Sequence, residues 1–104
     1  MFGTPVSMSL DAYSRGTGGA LVRNDPLVMV TEIKRQLVTA IGAIISDRGL
    51  TQGRAAALMG VSQPRISDAV RGKVEKFTID ALVEMLARAG CRTGVLVSRE
   101  DMAG

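Results

Sequence analysis

A small, mainly α-helical bundle with one β-strand near its C-terminal end is the fold class this sequence predicts, and three observations predict it. Apolar residues recur at helical spacing through Val30, Ile33, Leu37, Ile41, Ile44 and Ile45, and again through Leu82, Met85, Leu86 and Ala89. Between these two stretches, residues 50 to 73 read as two short amphipathic segments around the sequence Gly60-Val61-Ser62. After Gly90 the period changes from helical to alternating, with Cys91, Thr93, Val95 and Val97 on one side and Arg92, Gly94, Leu96 and Ser98 on the other.

Residues 1 to 24 carry Gly, Ser and Thr without sustained periodicity, and Gly16, Gly18 and Gly19 interrupt any regular element. They are expected to form a tail or arm, either a flexible extension or a segment that orders on the domain, a partner subunit or DNA. Asp25-Pro26 then gives an N-cap and a first-turn proline, which opens a long helix running to about Arg48 and stopped by Gly49. Glu32, Lys34, Arg35 and Gln36 are its polar side, expected to be solvated. Its apolar stripe is the expected seat of the two short helices.

Thr51 can cap the first of these, and Ala55, Ala56, Leu58 and Met59 form its apolar flank. Gly60 follows where a chain leaving a helix enters the left-handed region, Val61 fills the corner, and Ser62 caps the next helix. Pro64 falls in the first turn of that helix, where a missing N–H costs nothing, and Ile66, Ala69 and Val70 face inward. Residues 72 to 76 form a loop. Phe77, before the cap Thr78, can staple onto Leu82, and the last helix ends at Gly90. Residues 25 to 90 are thus expected to form one domain, residues 91 to 98 a strand that needs a partner, and residues 99 to 104 a short polar end.

Two closely joined helices with a sharp glycine turn, and a polar outer face of Gln63, Pro64, Arg65, Ser67, Asp68 and Arg71, read as a helix-turn-helix. Glutamine can pair bidentately with adenine and arginine with guanine. Pro64, Asp68 and Arg71 project most directly outward, and Gln63 reaches a groove from the helix tip. Arg65 lies on a flank, where it can touch a base or a phosphate and where an Arg65–Asp68 pair can orient it. A carboxylate such as Asp68 is tolerated near phosphates when it accepts from cytosine or braces an arginine. The bland alternative is a helical hairpin whose polar faces are merely solvated.

Charge distribution favours the first reading. The net charge is +3 over 104 residues, yet the segment from Arg48 to Lys76 holds six basic residues against Asp68 and Glu75, a net +4 that leaves −1 for the rest. Arg54, Arg71, Lys73 and Lys76 are the expected phosphate contacts within it. Phe2, Tyr13 and Phe77 are the only aromatics, too few for a stacking platform on single strands. No hydrophobic run approaches a membrane span and no signal-peptide pattern opens the chain, so a soluble cytoplasmic protein is expected. There is no histidine and a single cysteine, Cys91, which removes an intrachain disulfide, a nucleophile–base pair involving histidine, and a cysteine–histidine metal cluster. The expectation is a non-enzymatic protein without cofactor or metal.

In its residues 26 to 98 the chain resembles the Cro/repressor-type (XRE) helix-turn-helix family, whose fold is lambda-repressor-like, and most closely the HigA-type antitoxin regulators. The resemblance is carried by Leu50, Thr51 and Gln52, by Ala56, by Gly60, Val61 and Ser62, and by Gln63, Pro64, Arg65 and Ile66. It implies that Gln52 touches a phosphate and that Gln63, Arg65 and Ser67 sit in or beside the major groove. Arg54 departs from the pattern, because an acidic residue or glutamine commonly stands there to complete a capping box. The function expected is sequence-specific binding of a double-stranded operator by a homodimeric repressor, joined through Cys91, Thr93, Val95, Leu96 and Val97. The resemblance also admits an autoregulatory antitoxin that binds a small toxin protein. Other readings are a toxin-neutralising interaction module with little DNA binding and a stand-alone prophage repressor.

Overall fold

A computed structural model describes residues 25–99 of the chain. The tail expected over residues 1 to 24 and the end beyond residue 99 lie outside the described residues. Helix α1 spans Pro26–Asp47, α2 Gln52–Met59, α3 Gln63–Val70 and α4 Ile79–Arg88, with a single 3-10 turn at Val74–Lys76 between the last two.

Each helix begins where a short polar side chain satisfies an otherwise unpaired backbone donor. Asp25 Oδ1 accepts from the Leu27 N–H at 2.9 Å, and Thr51 Oγ1 from the Arg54 N–H at 3.1 Å. Ser62 Oγ accepts from the Arg65 N–H at 3.4 Å, and Thr78 Oγ1 from the Ala81 N–H at 3.2 Å. The caps at Asp25, Thr51, Ser62 and Thr78 stand where the sequence put them.

Among the described residues the core is one cluster drawn from helices α1 to α4 and the loop before α4. Val38 and Ile41 come from α1, Ala55, Ala56 and Met59 from α2, Ile66 and Ala69 from α3, Phe77 from the loop, and Leu82, Met85 and Leu86 from α4. Helix α1 packs against α4, α3 and the 3-10 turn, while α2 packs against α3 and α4. Arg48, just past the end of α1, donates from Nη2 to the Ala89 carbonyl oxygen at 2.9 Å and so ties that end to the end of α4. Burying five side chains as large as Ile41, Met59, Ile66, Leu82 and Met85 contributes about 1.5–3 kcal/mol each, the main force holding such short helices together.

Four expectations are corrected. Val30 and Ile33 do not join the core stripe and are 39% and 40% exposed, because α1 is 22 residues long and runs past its short neighbours. A helix of that length extends about 33 Å, against about 12 Å for one of eight residues. Glu32 is not on a solvated face; it is buried, with Arg35 Nε 3.4 Å from its Oε1. Val70 does not face inward but is 51% exposed, because α3 ends there and Val74 of the 3-10 turn packs against the core instead. Finally, residues 91–99 form no strand, and none occurs among the described residues. A strand is defined by a ladder of hydrogen bonds to a neighbour, and this segment has no such ladder among the described residues. Cys91 is half-buried against the core and Thr93 is half-buried, whereas Val95, Leu96 and Val97 are each more than 80% exposed.

Candidate nucleic-acid interface

The turn between α2 and α3 is set by Gly60, at φ 72° and ψ 32°. A side chain at a left-handed position clashes with its own backbone, which glycine avoids. The Gly60 and Val61 N–H groups both go to the Ala56 carbonyl oxygen, so α2 is closed off in one residue. Ser62 then opens α3 immediately, with Pro64 in its first turn. Ile66 and Ala69 anchor α3 in the core, which forces the opposite face outward.

That face carries the residues expected to read bases, in two groups. Gln63, Pro64 and Arg65 are exposed at the N-terminal tip, whereas Ser67 and Asp68 are half-buried. Arg71 is exposed at the C-cap of α3, at the far end of the helix from Gln63. Gln52 and Arg54 are exposed on the first turn of α2. Gln63 is brought to that same turn: its Nε2 lies 2.8 Å from where a Cβ on Gly53 would stand. The tips of α2 and α3 therefore form one surface, with Gln52, Arg54, Gln63 and Pro64 on it.

Arg65 is placed differently from the orientation expected. Its guanidinium Nη1 donates to the Lys76 carbonyl oxygen at 2.6 Å and its Cζ lies 5.3 Å from the Phe77 ring centroid. The Arg65–Asp68 pair does not form, since the guanidinium turns to the loop rather than along its own helix. A charged donor on a carbonyl is among the stronger hydrogen bonds, and the ring face adds attraction to the cation. Arg65 thus fastens α3 to the segment bearing the two loop lysines. Lys76 is exposed and Lys73 half-buried, the latter held through its backbone N–H to the Asp68 carbonyl oxygen at 3.0 Å.

Sequence reasoning did not single out Gly53, Arg48 or Arg88. Arg88 lies across the turn, with its Cδ and Nε each 2.9 Å from where a Cβ on Gly60 would stand, and it pairs with Glu84 at 3.2 Å. A glycine inside the first turn of a helix was the available signal for Gly53; nothing local marks the two arginines. Among the described residues no group of histidine, cysteine or acidic side chains is arranged to hold a metal ion, and no helix is long and apolar enough to cross a membrane.

A family model described as a helix-turn-helix domain matches residues 28–98. A solved structure, "Putative XRE Family Transcriptional Regulator", superposes with a TM-score of 0.67 at 25% sequence identity, covering 76% of this chain and 89% of that one. No curated protein matches the chain.

Proposed function

The chain belongs to the helix-turn-helix domain family, and from that premise we propose that it is a non-enzymatic, cytoplasmic transcriptional repressor that binds double-stranded DNA sequence-specifically. The observation that carries this reading is the joined tip of α2 and α3. Exposed amide and cationic groups of Gln52, Arg54 and Gln63 share one surface, anchored from behind by the buried Ala55, Ala56 and Met59 of α2 and Ile66 and Ala69 of α3. An α-helix fits the major groove, where base edges are distinguishable, and helix-turn-helix proteins present the N-terminal residues of the second helix there.

Gln63 and Pro64 meet the base edges, with Ser67 and Asp68 along the groove wall. Gln52, Arg54, Arg71, Lys73 and Lys76 bind phosphates on either side. Arg65 acts mainly through the loop it holds. The chain works as a homodimer on a pseudo-palindromic operator, since two symmetric recognition helices double the sequence read. Residues 91–98 supply the contact: Val95, Leu96 and Val97 are each more than 80% exposed, and packing against a second copy would take that apolar surface out of water. Selection of bound sequences from a random duplex pool tests this. It should yield an inverted repeat with half-sites about 34 Å apart, or about 10–10.5 base pairs; recovery of no preferred sequence counts against the reading.

One observation favours a second, compatible role as an autoregulatory antitoxin. The N-terminal half of α1 leaves Leu27, Met29, Val30 and Ile33 exposed beside the buried Glu32, whose Oε1 makes no hydrogen bond. An apolar stripe next to a buried carboxylate, held by the Arg35 ion pair without a hydrogen bond to its Oε1, suits a small basic protein. Co-expression with the product of an adjacent gene encoding such a protein tests it. Ile33→Glu should abolish capture and leave operator binding intact; capture that survives the substitution removes this surface from consideration.

A further inference from the structure

Gly53 is the second residue of α2 and Gln63 the first of α3. A Cβ on Gly53 would lie 2.8 Å from Gln63 Nε2, 3.8 Å from its Cδ and 4.0 Å from Thr51 Oγ1. The carboxamide of Gln63 therefore rests against bare backbone, in a seat that exists because residue 53 has no side chain. Gly53 is half-buried beneath it, while Gln63 is exposed overall, so the amide is supported on one side and open on the other.

Backbone conformation does not explain this glycine. Among the described residues the glycines at positive φ are Gly49, Gly60, Gly72 and Gly90, and Gly53 is not one of them. Within a helix, glycine is disfavoured relative to alanine because it loses more backbone freedom on folding. What the structure offers instead is the close approach of Gln63.

We propose that Gly53 is a specificity-determining position, which admits the Gln63 carboxamide to the first turn of α2 and so fixes the direction in which its donor and acceptor meet a base edge. The inference rests on the reading of α3 as the groove helix and deepens it. Bidentate recognition of a base requires the amide nitrogen and oxygen to arrive together in one plane. A side chain already seated in that plane loses less freedom on binding than one that samples several rotamers. A methyl group at residue 53 displaces the amide and breaks the alignment without touching DNA itself.

The test uses the full chain as Gly53→Ala, Gln63→Ala and the double variant, each titrated against the selected duplex and against duplexes altered one base pair at a time. G53A should melt at or above the wild-type temperature, because alanine is the better helix former. It should nonetheless weaken binding to the selected duplex by about tenfold and flatten preference at the same base pair as Q63A. In the Q63A background it should add nothing, the coupling expected of two residues that act as one. Wild-type protein with no preference among duplexes, or Q63A that retains the full preference, overturns the groove reading and this inference with it. A preference that Q63A loses and G53A keeps overturns this inference alone. Nuclear Overhauser contacts between the Gln63 side-chain amide protons and the Gly53 Hα protons in the free wild-type protein give an independent readout; their absence overturns the seat even if G53A fails to fold.

Discussion

Replacing Gly60 by valine tests the turn on which the whole interface depends. At φ 72° and ψ 32° a residue with a Cβ is strained by about 1–2 kcal/mol, and a β-branched one by up to about 3 kcal/mol. The new Cβ would also stand 2.9 Å from Arg88 Cδ and Nε. Arg88 can swing away, since its side chain is 55% exposed, at the loss of a surface ion pair with Glu84 worth at most about 0.5 kcal/mol. The combined cost is about 2–3.5 kcal/mol, set against about 4–11 kcal/mol for a domain of this size. At roughly 4–8 °C per kcal/mol, the melting temperature should fall by about 10–25 °C. Thermal denaturation followed by far-ultraviolet circular dichroism measures it, with Gly60→Asn as the control. Asparagine tolerates the left-handed region and should cost less than half as much. Valine melting within about 2 °C of wild type, or asparagine as damaging as valine, would refute the argument from backbone strain.

Arg65→Ala removes the bond to the Lys76 carbonyl and the contact with Phe77, and should destabilise the protein by about 1 kcal/mol and weaken specific and random duplexes alike. A loss confined to one base pair would show instead that the guanidinium leaves Lys76 to read that base. Lys76→Ala should leave the melting temperature unchanged and lower the salt slope of binding by about one unit; an unchanged slope removes Lys76 from the phosphate contacts. Deleting residues 91 to 104 should leave the helices folded but monomeric, with operator affinity cut far more than nonspecific affinity. Sedimentation decides that point: a truncated chain that stays dimeric contradicts the proposed contact.

The parts of this fold that follow from local chemistry were legible in the sequence. A hydroxyl or carboxylate beside the first helical residue satisfies the same donor wherever it occurs, so Asp25, Thr51, Ser62 and Thr78 could be read as caps directly. Gly60 could be read for a similar reason, because few residues tolerate the conformation that ends α2 so abruptly. What the sequence did not disclose depends on distance in space. Val30 and Ile33 continue the apolar period of α1, but period alone does not reveal that α2 and α3 are too short to cover them. Arg65 meets a carbonyl eleven residues later, a choice made by the loop's path rather than by any i, i+3 rule. The seat of Gln63 on Gly53 likewise requires both helices in place. In the candidate site Gln63, Pro64, Arg65 and Arg71 are exposed as the helical angle implied, since burial of Ile66 and Ala69 fixes the opposite face, whereas Ser67 and Asp68, expected on the outward face, are half-buried. The alternating pattern after Gly90 did not make a strand, because a period of two fixes side-chain alternation but supplies no neighbouring backbone to pair with.

Competition titration of the selected duplex against a scrambled one, with wild type and Gln63→Ala in parallel across a range of salt concentrations, bears most directly on the claim that the joined tip of α2 and α3 reads DNA. The account predicts that wild type prefers the selected duplex by at least about 10³-fold and that the preference drops about 5- to 150-fold in Q63A. The two proteins should share one salt slope, because Gln63 contacts no phosphate. Equal binding of wild type to both duplexes, or a Q63A variant as selective as wild type, would contradict it.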